Sequence, residues 1–274
     1  MPEAPEVEAV ARTLRPLVSG RTIRRVQVRH SVAIRPQSPS ILKKNVAHAS
    51  ITTVERRGKY LLLTLDRGCI AMHFKFDGQV LWFDDPKDAL ARHVHVDVAF
   101  ETDKGTLGFV DRRHLGRVQW LAKPEDSDGI RALGLDCFSG EFTPDRLFEI
   151  CQTRPRPLKL LLMDQTHIAG IGNMYANESL WLAQIDPRRQ SDRLTPREIR
   201  RLHKAVVSVL ARALECCLDP PPDFRNPKWW FADLAGMLRV YGREEQPCAR
   251  CKAPILRIEQ GGRSTYFCAH CQAS

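Results

Sequence analysis

Apolar and polar residues alternate in short runs through the N-terminal half of the chain, and turn-forming residues separate the runs. A period of two residues is typical of β-strands with one buried face. The pattern predicts eight strands, at Ile23–Arg29, Ile51–Glu55, Tyr60–Leu65, Ile70–Phe76, Val80–Phe83, His95–Glu101, Gly105–Val110 and Arg117–Leu121. Eight short strands with short connections indicate a β-sandwich or a flattened barrel.

A helix is predicted before the first strand. Apolar residues recur at helical spacing between Pro5 and Val18, and Gly20 follows the last of them. We expect this helix to cover an edge or a face of the sheet.

The period changes from two to 3.6 residues after the polar segment 123–129, which is typical of a linker. The clearest helix is predicted from Thr195 to Cys217, where Thr195 is the cap and Glu198 completes a capping box. Its apolar stripe indicates a buried face rather than a cofactor site. Between Cys217 and Gly236 the chain is rich in proline and aromatic residues, which predicts a long irregular loop.

Composition narrows the class of protein. The 274 residues are 43% hydrophobic and 27% charged, without an apolar run near the roughly 18 residues of a membrane span. The first ten residues carry neither a basic leader nor an apolar segment, so we expect a cytoplasmic protein. The 42 Lys and Arg against 32 Asp and Glu give a formal charge of +10, which favours nucleic acid as the partner. The alternative is a basic surface that only aids solubility.

Four cysteines near the C-terminus have the spacing of a metal site. Cys248 and Cys251 form one C-x2-C pair, Cys268 and Cys271 form another, and sixteen residues separate the pairs. Four thiolates make a closed tetrahedral site, so the motif predicts one structural Zn²⁺ within a two-stranded ribbon. The basic residues of this hairpin indicate either entry into a DNA groove or a solvated charged surface.

The N-terminus offers a nucleophile. Removal of Met1 before the small residue Pro2 would expose a secondary amine whose ordinary pKa is about 7.7–8, so much of it is neutral at physiological pH. Glu3 and Glu6 lie within one turn of it. They either transfer protons and position a substrate, or only favour the start of the helix.

The opening MPEAPEVEAV resembles the start of the formamidopyrimidine-DNA glycosylase family, bacterial base-excision repair enzymes that include the endonuclease VIII branch. Segments Arg57–Leu63, Asp164–Glu178, Val240–Arg243 and Gly262–Cys268 carry the same resemblance, in the family's order. The resemblance covers nearly the whole chain and is closer to the formamidopyrimidine branch. It implies an α+β fold: an N-terminal helix and eight-stranded β-sandwich, a helical domain with a helix–two-turn–helix element, and a four-Cys zinc ribbon. The corresponding boundaries are 1–125, 126–236 and 237–274.

The resemblance implies a bifunctional DNA glycosylase and AP lyase acting as a monomer on damaged duplex DNA, with one structural zinc and no small-molecule cofactor. Such an enzyme flips out oxidised bases, purines such as formamidopyrimidines and 8-oxoguanine among them. The alternatives are a glycosylase for oxidised pyrimidines or hydantoins, a lyase-only or non-catalytic protein that binds damaged DNA, and an RNA-binding zinc-ribbon protein.

The resemblance also assigns catalytic roles. Pro2 matches the nucleophile, Glu3 the carboxylate that protonates the sugar ring or leaving group, and Glu6 a supporting acid. Lys59 matches a lysine that contacts phosphate beside the lesion.

Further positions match residues that contact DNA. Asn173, at the turn of the helix–two-turn–helix element, and Arg263, in the zinc ribbon, match phosphate contacts, and His93 and Arg113 are assigned to DNA binding. Without the resemblance, the 170–173 turn reads equally as an ordinary connection between helices. Phe76, Arg113 and Leu115 match the residues that fill the space left by the flipped base, although Phe76 and Leu115 also suit an ordinary strand core.

The sequence departs from the family pattern at three places. Ala4 stands where leucine or glycine is usual, and segments 73–78 and 112–115 differ from the common His-Leu-Gly-Met-Ser-Gly and Pro-Arg-Arg-Phe. The loop 217–236 contains Pro220–Pro222 and Trp229–Phe231 instead of a Gly- and Thr-rich sequence. We expect this aromatic loop to face the substrate, and the alternative is a lid that never touches the base.

Overall fold

The computed structural model of the chain describes residues 2–85, 96–153, 155–226, 234 and 236–272. They divide into two units, one of Met1–Arg131 with Cys217–Ala232 and the other of Ala132–Cys216 with Asp233–Ser274. In this division the loop after residue 217 belongs to the unit of the first 131 residues, and the cysteine-rich C-terminus belongs to the helical unit. Among the described residues, no helix combines the length and apolar composition that crossing a membrane requires.

The first unit contains two four-stranded antiparallel sheets, which confirms the predicted sandwich. The strands are β1 Ile23–Val28, β2 Ile51–Arg57, β3 Tyr60–Leu65, β4 Cys69–His73, β5 Gln79–Phe83, β6 Val96–Thr102, β7 Thr106–Val110 and β8 Arg117–Leu121. One sheet has the order β2-β3-β4-β8 and the other β1-β6-β7-β5.

Strand β4 ends earlier than predicted. The sequence suggested a strand to Phe76, but Lys75 has a φ of 54° and the Gly78 N–H donates to the Phe74 carbonyl at 3.0 Å. The chain therefore turns after His73, and residues 74–78 form a tight connection to β5.

Helix α1, Ala4–Val18, covers the predicted segment. Its residues Val7, Val10 and Leu14 are fully buried in one core cluster with residues of both sheets. Burial of each such side chain contributes about 1.5–3 kcal/mol, so α1 is an integral part of the sandwich core.

The other helices of this unit are short. They are α2 Pro39–Val46, α3 Asp128–Arg131 and the 3-10 helices Ser31–Ile34 and Pro124–Asp126. The segment 123–129, which was predicted to be a linker, contains a helical turn, in which the Lys123 N–H donates to Asp126 Oδ2 at 3.2 Å. The division between the two units follows at Arg131.

In the second unit, the described residues form four α-helices. They are α4 Pro144–Thr153, α5 Leu158–Met163, α6 Asn173–Ala183 and α7 Pro196–Leu218, with a 3-10 helix at Ser191–Arg193 and a parallel pair of two-residue strands, β9 Leu135–Asp136 and β10 Ile168–Ala169. The predicted capping box of α7 is present: Thr195 N–H donates to Glu198 Oε2 at 2.8 Å, and Glu198 N–H donates to Thr195 Oγ1 at 3.3 Å.

The C-terminal residues form an antiparallel hairpin of β11 Leu256–Gln260 and β12 Arg263–Phe267. Gly261 and Gly262 form its two-residue turn with φ values of 57° and 70°. Two consecutive positive φ values are those of a type I′ turn, which glycine adopts without strain. The turn places Arg263 at the tip of the hairpin.

The described part of the 217–236 loop is anchored to the sandwich. Phe224 is buried in the sandwich core, and its carbonyl accepts the Trp82 N–H at 2.8 Å. The Arg225 guanidinium pairs with both carboxylate oxygens of Asp84, at 2.9 and 3.0 Å. The aromatic residues Trp229–Phe231, expected to face the substrate, lie outside the described residues.

Candidate active site and nucleic-acid interface

The N-terminal residues before α1 are buried. Pro2 is buried, and Glu3 and Glu6 are each 3% exposed. Glu3 precedes the first helical residue, and its N–H donates to Glu6 Oε2 at 2.9 Å. Both carboxylates therefore lie within one turn of the Pro2 nitrogen. The start of a helix favours negative charge, which stabilises them there.

Lys59 lies in the two-residue turn between β2 and β3 and is 7% exposed. Arg56 fixes this turn against α1, because its guanidinium donates to the Gly58 carbonyl at 2.8 Å and to Glu8 Oε2 at 3.0 Å. A second arginine joins the same elements, with Arg15 Nε donating to the Val54 carbonyl at 2.8 Å. The turn that carries Lys59 is thereby tied to the helix that follows Pro2.

His73 lies close to the turn that carries Lys59, and the sequence did not single it out. It lies opposite Tyr60, the residue after Lys59, in the β3–β4 pair, and the two rings meet edge to face at 4.7 Å. Burial, together with the ammonium groups of Lys75 and Lys59, lowers the pKa of His73 to about 3. The imidazole is therefore neutral at physiological pH, and its Nδ1 accepts the Lys75 N–H at 3.1 Å.

The three predicted void-filling residues lie on two loops at the surface of the sandwich unit. Phe76 and Leu115 are each 37% exposed, so neither belongs to the strand core. Arg113 stacks over the Phe76 ring with its guanidinium carbon 5.3 Å from the ring centroid, and it lies 3.5 Å from Asp77 Oδ2. The cation–π contact holds a flexible arginine beside an apolar ring.

Asn173 and Arg263 converge in the second unit. Asn173 begins α6, and its side-chain amide donates to the carbonyl of Ser264, the neighbour of Arg263, at 3.0 Å. Arg263 itself is exposed. In the turn before Asn173, the Gly170 N–H donates to Gln165 Oε1 at 3.0 Å.

Lys159 contacts the same hairpin, and no sequence pattern singled it out. It is fully buried and donates to the Ser264 carbonyl at 3.1 Å and to Thr265 Oγ1 at 2.8 Å. Burial, and then the Arg263 charge, lower the pKa of Lys159 to about 8. Its signal in the sequence is a single charge inside the apolar run Leu158–Met163.

Glu178, the last residue of the segment Asp164–Glu178, fixes the backbone at the start of the ribbon. The backbone N–H groups of Arg239, Val240 and Tyr241 donate to its carboxylate at 2.9, 2.9 and 2.8 Å. Burial raises the pKa of Glu178, whereas these three donors lower it.

The four cysteine sulfur atoms lie within 4.8 Å of one another, as a tetrahedral thiolate site requires. Cys248 and Cys271 are 4.0 Å apart, and Cys251 and Cys268 are 3.4 Å apart. Burial raises the pKa of Cys248, but N–H donors, among them the Trp181 indole at 3.4 Å, outweigh it and lower the value to about 6. The donor set fits one structural Zn²⁺.

His93, which the resemblance assigned to DNA binding, lies outside the described residues. The catalytic and DNA-binding roles of the other residues remain predictions that their positions permit.

Three family models match the chain. The formamidopyrimidine-DNA glycosylase N-terminal domain matches residues 1–118, the formamidopyrimidine-DNA glycosylase H2TH domain matches residues 133–218, and a zinc finger found in FPG and IleRS matches residues 245–273.

Proteins named formamidopyrimidine-DNA glycosylase are similar over their full length. The one from Chloroflexus aurantiacus is 41% identical and the one from Pelotomaculum thermopropionicum 39%, each covering 99% of this chain, with 98% and 99% of their own lengths covered.

Solved structures are also similar to this chain over its whole length. Thermus thermophilus MutM (FPG) has a TM-score of 0.84 at 34% identity, covering 100% of this chain and 99% of its own. A Lactococcus lactis FPG variant in complex with a Fapy-dG-containing DNA has a TM-score of 0.87 at 27% identity, with 100% of both chains covered.

Proposed function

The chain belongs to the formamidopyrimidine-DNA glycosylase family, and from this membership we infer that it is a bifunctional DNA glycosylase and AP lyase of base excision repair. It acts on oxidised bases in duplex DNA. Its metal is one structural zinc in the C-terminal ribbon. It works as a monomer in the bacterial cytoplasm, at the nucleoid.

Pro2 is the nucleophile. After loss of Met1, the lone pair of its nitrogen attacks C1′ of the damaged nucleotide, and the electrons of the glycosidic bond leave with the base. A proton from Glu3 assists this departure, and Glu6 holds the Glu3 backbone through the 2.9 Å hydrogen bond. The Pro2 nitrogen then loses its proton, and transfer of a proton to O4′ breaks the C1′–O4′ bond, which opens the sugar ring and leaves an iminium ion between this nitrogen and C1′. The iminium acidifies C2′, so successive β- and δ-eliminations break both phosphate ester bonds. Hydrolysis of the remaining imine frees Pro2.

The basic residues hold the backbone of the DNA. Lys59 contacts phosphate beside the lesion in the first unit, and Asn173 and Arg263 contact phosphate in the second. The Asn173 amide group already donates to the Ser264 carbonyl, and among the described residues no group bonds to its buried Oδ1 atom. Asn173 therefore positions the hairpin as well as contacting phosphate.

The exposed residues Phe76, Arg113 and Leu115 fill the space that the extruded base leaves. Apolar side chains replace the lost stacking, and the Arg113 guanidinium donates to the orphaned base. The preferred lesions are oxidised purines such as formamidopyrimidines. Oxidised pyrimidines are the second candidate, because a Lactococcus lactis FPG complex at a TM-score of 0.86 contains DNA with an oxidised pyrimidine.

The observation that carries the mechanism is the burial of two linked carboxylates directly after Pro2. The test is borohydride trapping of untagged protein on oligonucleotides with an abasic site, 8-oxoguanine, formamidopyrimidine, a hydantoin or an oxidised pyrimidine. We expect a covalent adduct on the abasic site and on the purine lesions. An N-terminal extension that blocks Pro2 should remove the adduct and leave DNA binding nearly unchanged.

Glu3→Gln separates the two steps. Base release needs the Glu3 proton, whereas an existing abasic aldehyde condenses with the Pro2 amine without it, so the variant should lose glycosylase activity more than lyase activity. Glu141→Gln, at an exposed glutamate of the other unit, is the matched control. Absence of any adduct on the abasic site would favour a non-catalytic protein that binds damaged DNA.

A further inference from the structure

A second cluster of metal-ligating side chains lies in the sandwich unit. His30 follows β1, Asp97 lies in β6, and His114 lies in the loop between β7 and β8. One ligand atom from each of the three lies within 4.8 Å of the others.

The three residues are held in place by the backbone around them. His114 Nδ1 lies 2.7 Å from Asp97 Oδ1, and the His30 ring packs on the His114 ring at a centroid distance of 4.4 Å. The N–H groups of Arg29 and His30 both donate to the Asp97 carbonyl, at 2.9 and 3.3 Å. Because the end of β1 is tied to β6 in this way, His30 cannot move far from the carboxylate.

One of the two carboxylate oxygens of Asp97 is unpaired within the part of the chain that the structure describes. Asp97 is 0% exposed, and its Oδ2 atom has no hydrogen-bond partner among the described residues. A buried polar atom without a partner is costly and is uncommon in folded proteins. This oxygen is therefore available as a ligand atom.

The local charge favours a cation. Asp111 is also 0% exposed, and its carboxylate accepts the N–H groups of Arg113 and Gly116 at 2.9 and 2.6 Å. The Asp111 carboxylate lies close enough to Asp97 to interact with it electrostatically. Two buried carboxylates thus share a region that contains two imidazoles, and a bound cation would stabilise both negative charges.

We propose that His30, Asp97 and His114 bind a divalent transition-metal ion of the Zn²⁺ class. Two imidazole nitrogens and one carboxylate oxygen are ligands that such ions prefer, and they leave the remaining coordination positions to water. The site is distinct from the thiolate site in its donor chemistry, since none of its ligands is sulfur.

An ion at this site would act on the loop that carries the void-filling residues. His114 lies between Arg113 and Leu115, so metal binding would fix the backbone from which both side chains project. This consequence, unlike the site itself, rests on the proposed function.

The test is a titration of Co²⁺ at neutral pH into the full-length protein, whose thiolate site holds zinc. Calorimetry and visible absorption follow the binding. We expect one further equivalent of Co²⁺ with weak d–d bands and without thiolate charge-transfer bands. His114→Gln and His30→Gln should each weaken its affinity at least tenfold. His48→Asn is the matched control, because His48 is exposed, lies outside the cluster and has a φ of 63° that asparagine tolerates.

Thermal unfolding of each variant, together with an unchanged zinc content of the thiolate site, verifies that it is folded. The proposal is overturned if the wild-type protein binds no further equivalent, or if both histidine variants bind it as the wild type does. Since no DNA is present in this experiment, its failure is independent of the glycosylase assignment.

Discussion

The β-sandwich and the C-terminal ribbon are stabilised in different ways. Every residue of β5 and β7 is buried, whereas no residue of β11 is buried and Leu256 is 43% exposed. Apolar burial folds the sandwich, while a hairpin of this size has too little core to fold alone. The proposed catalytic residues therefore lie in a region that its own apolar core stabilises. Arg263 lies in a region that needs a metal ion to fold.

Polar contacts within its own unit complete the support of the ribbon. Lys159 and Asn177 bond to β12, the latter through Oδ1, which accepts the Tyr266 N–H at 2.8 Å. Arg250 stacks on the Trp181 ring at 4.1 Å and donates to the Trp181 carbonyl at 2.7 Å. The ribbon thus depends on helices α5 and α6 as well as on its ion.

Removal of zinc should produce the largest difference between the two regions. Structural zinc contributes roughly 10–16 kcal/mol in zinc-finger peptides, so chelation should unfold residues 245–273 and abolish DNA binding while the sandwich stays folded. Hydrogen exchange resolved by peptide measures both regions at once. Full protection of β11 and β12 in metal-free protein would contradict the structural role of the ion.

A cavity in the core should destabilise the sandwich and leave the ribbon folded. Phe100 is 0% exposed in the main core cluster, and Phe100→Ala should lower the free energy of unfolding of this unit by about 3–5 kcal/mol without releasing zinc. Phe148→Ala is the control, since Phe148 is 36% exposed. Urea denaturation combined with a zinc assay measures both effects. A loss of stability as small as that of the control would mean that the core relaxes around the cavity.

Acid should weaken the sandwich through His73. Its pKa is about 3 in the folded protein against an ordinary 6.5, so the unfolded state binds the proton more readily and stability falls as the pH drops from 6.5 toward 3. His73→Asn should flatten the dependence of the unfolding free energy on pH in this range. Parallel curves for variant and wild type would show that another group causes the acid sensitivity.

Arg263→Ala should have the smallest effect, confined to DNA binding. Loss of one phosphate contact should reduce the slope of log Kd against log salt by about one and leave lesion preference unchanged. Arg146→Ala, at an exposed arginine of α4, is the control. Fluorescence anisotropy at several salt concentrations gives the slopes, and a changed lesion preference would mean that Arg263 reads bases.

Local patterns in the sequence were sufficient for much of this structure. Alternation located all eight sandwich strands to within a few residues, and the C-x2-C spacing identified the four ligands that the fold brings together. These signals are local because strand period and knuckle turns involve only near neighbours.

The residues that were missed depend on distant partners. His73 was missed because its contact is with Tyr60 in the neighbouring strand β3. Lys159 was missed because it bonds to a hairpin 105 residues further along the chain. His30, Asp97 and His114 come from three separate segments. No periodicity connects such positions, so only the fold reveals them.

The Glu178 carboxylate has a consequence for how this family can vary. By accepting three consecutive backbone N–H groups at 239–241, it sets the residue at which the ribbon starts, whatever precedes it. We therefore expect insertions or deletions between Arg225 and Leu238 to leave the position of the ribbon unchanged. The loop after α7 can then change in length and composition while the hairpin and its arginine stay in register.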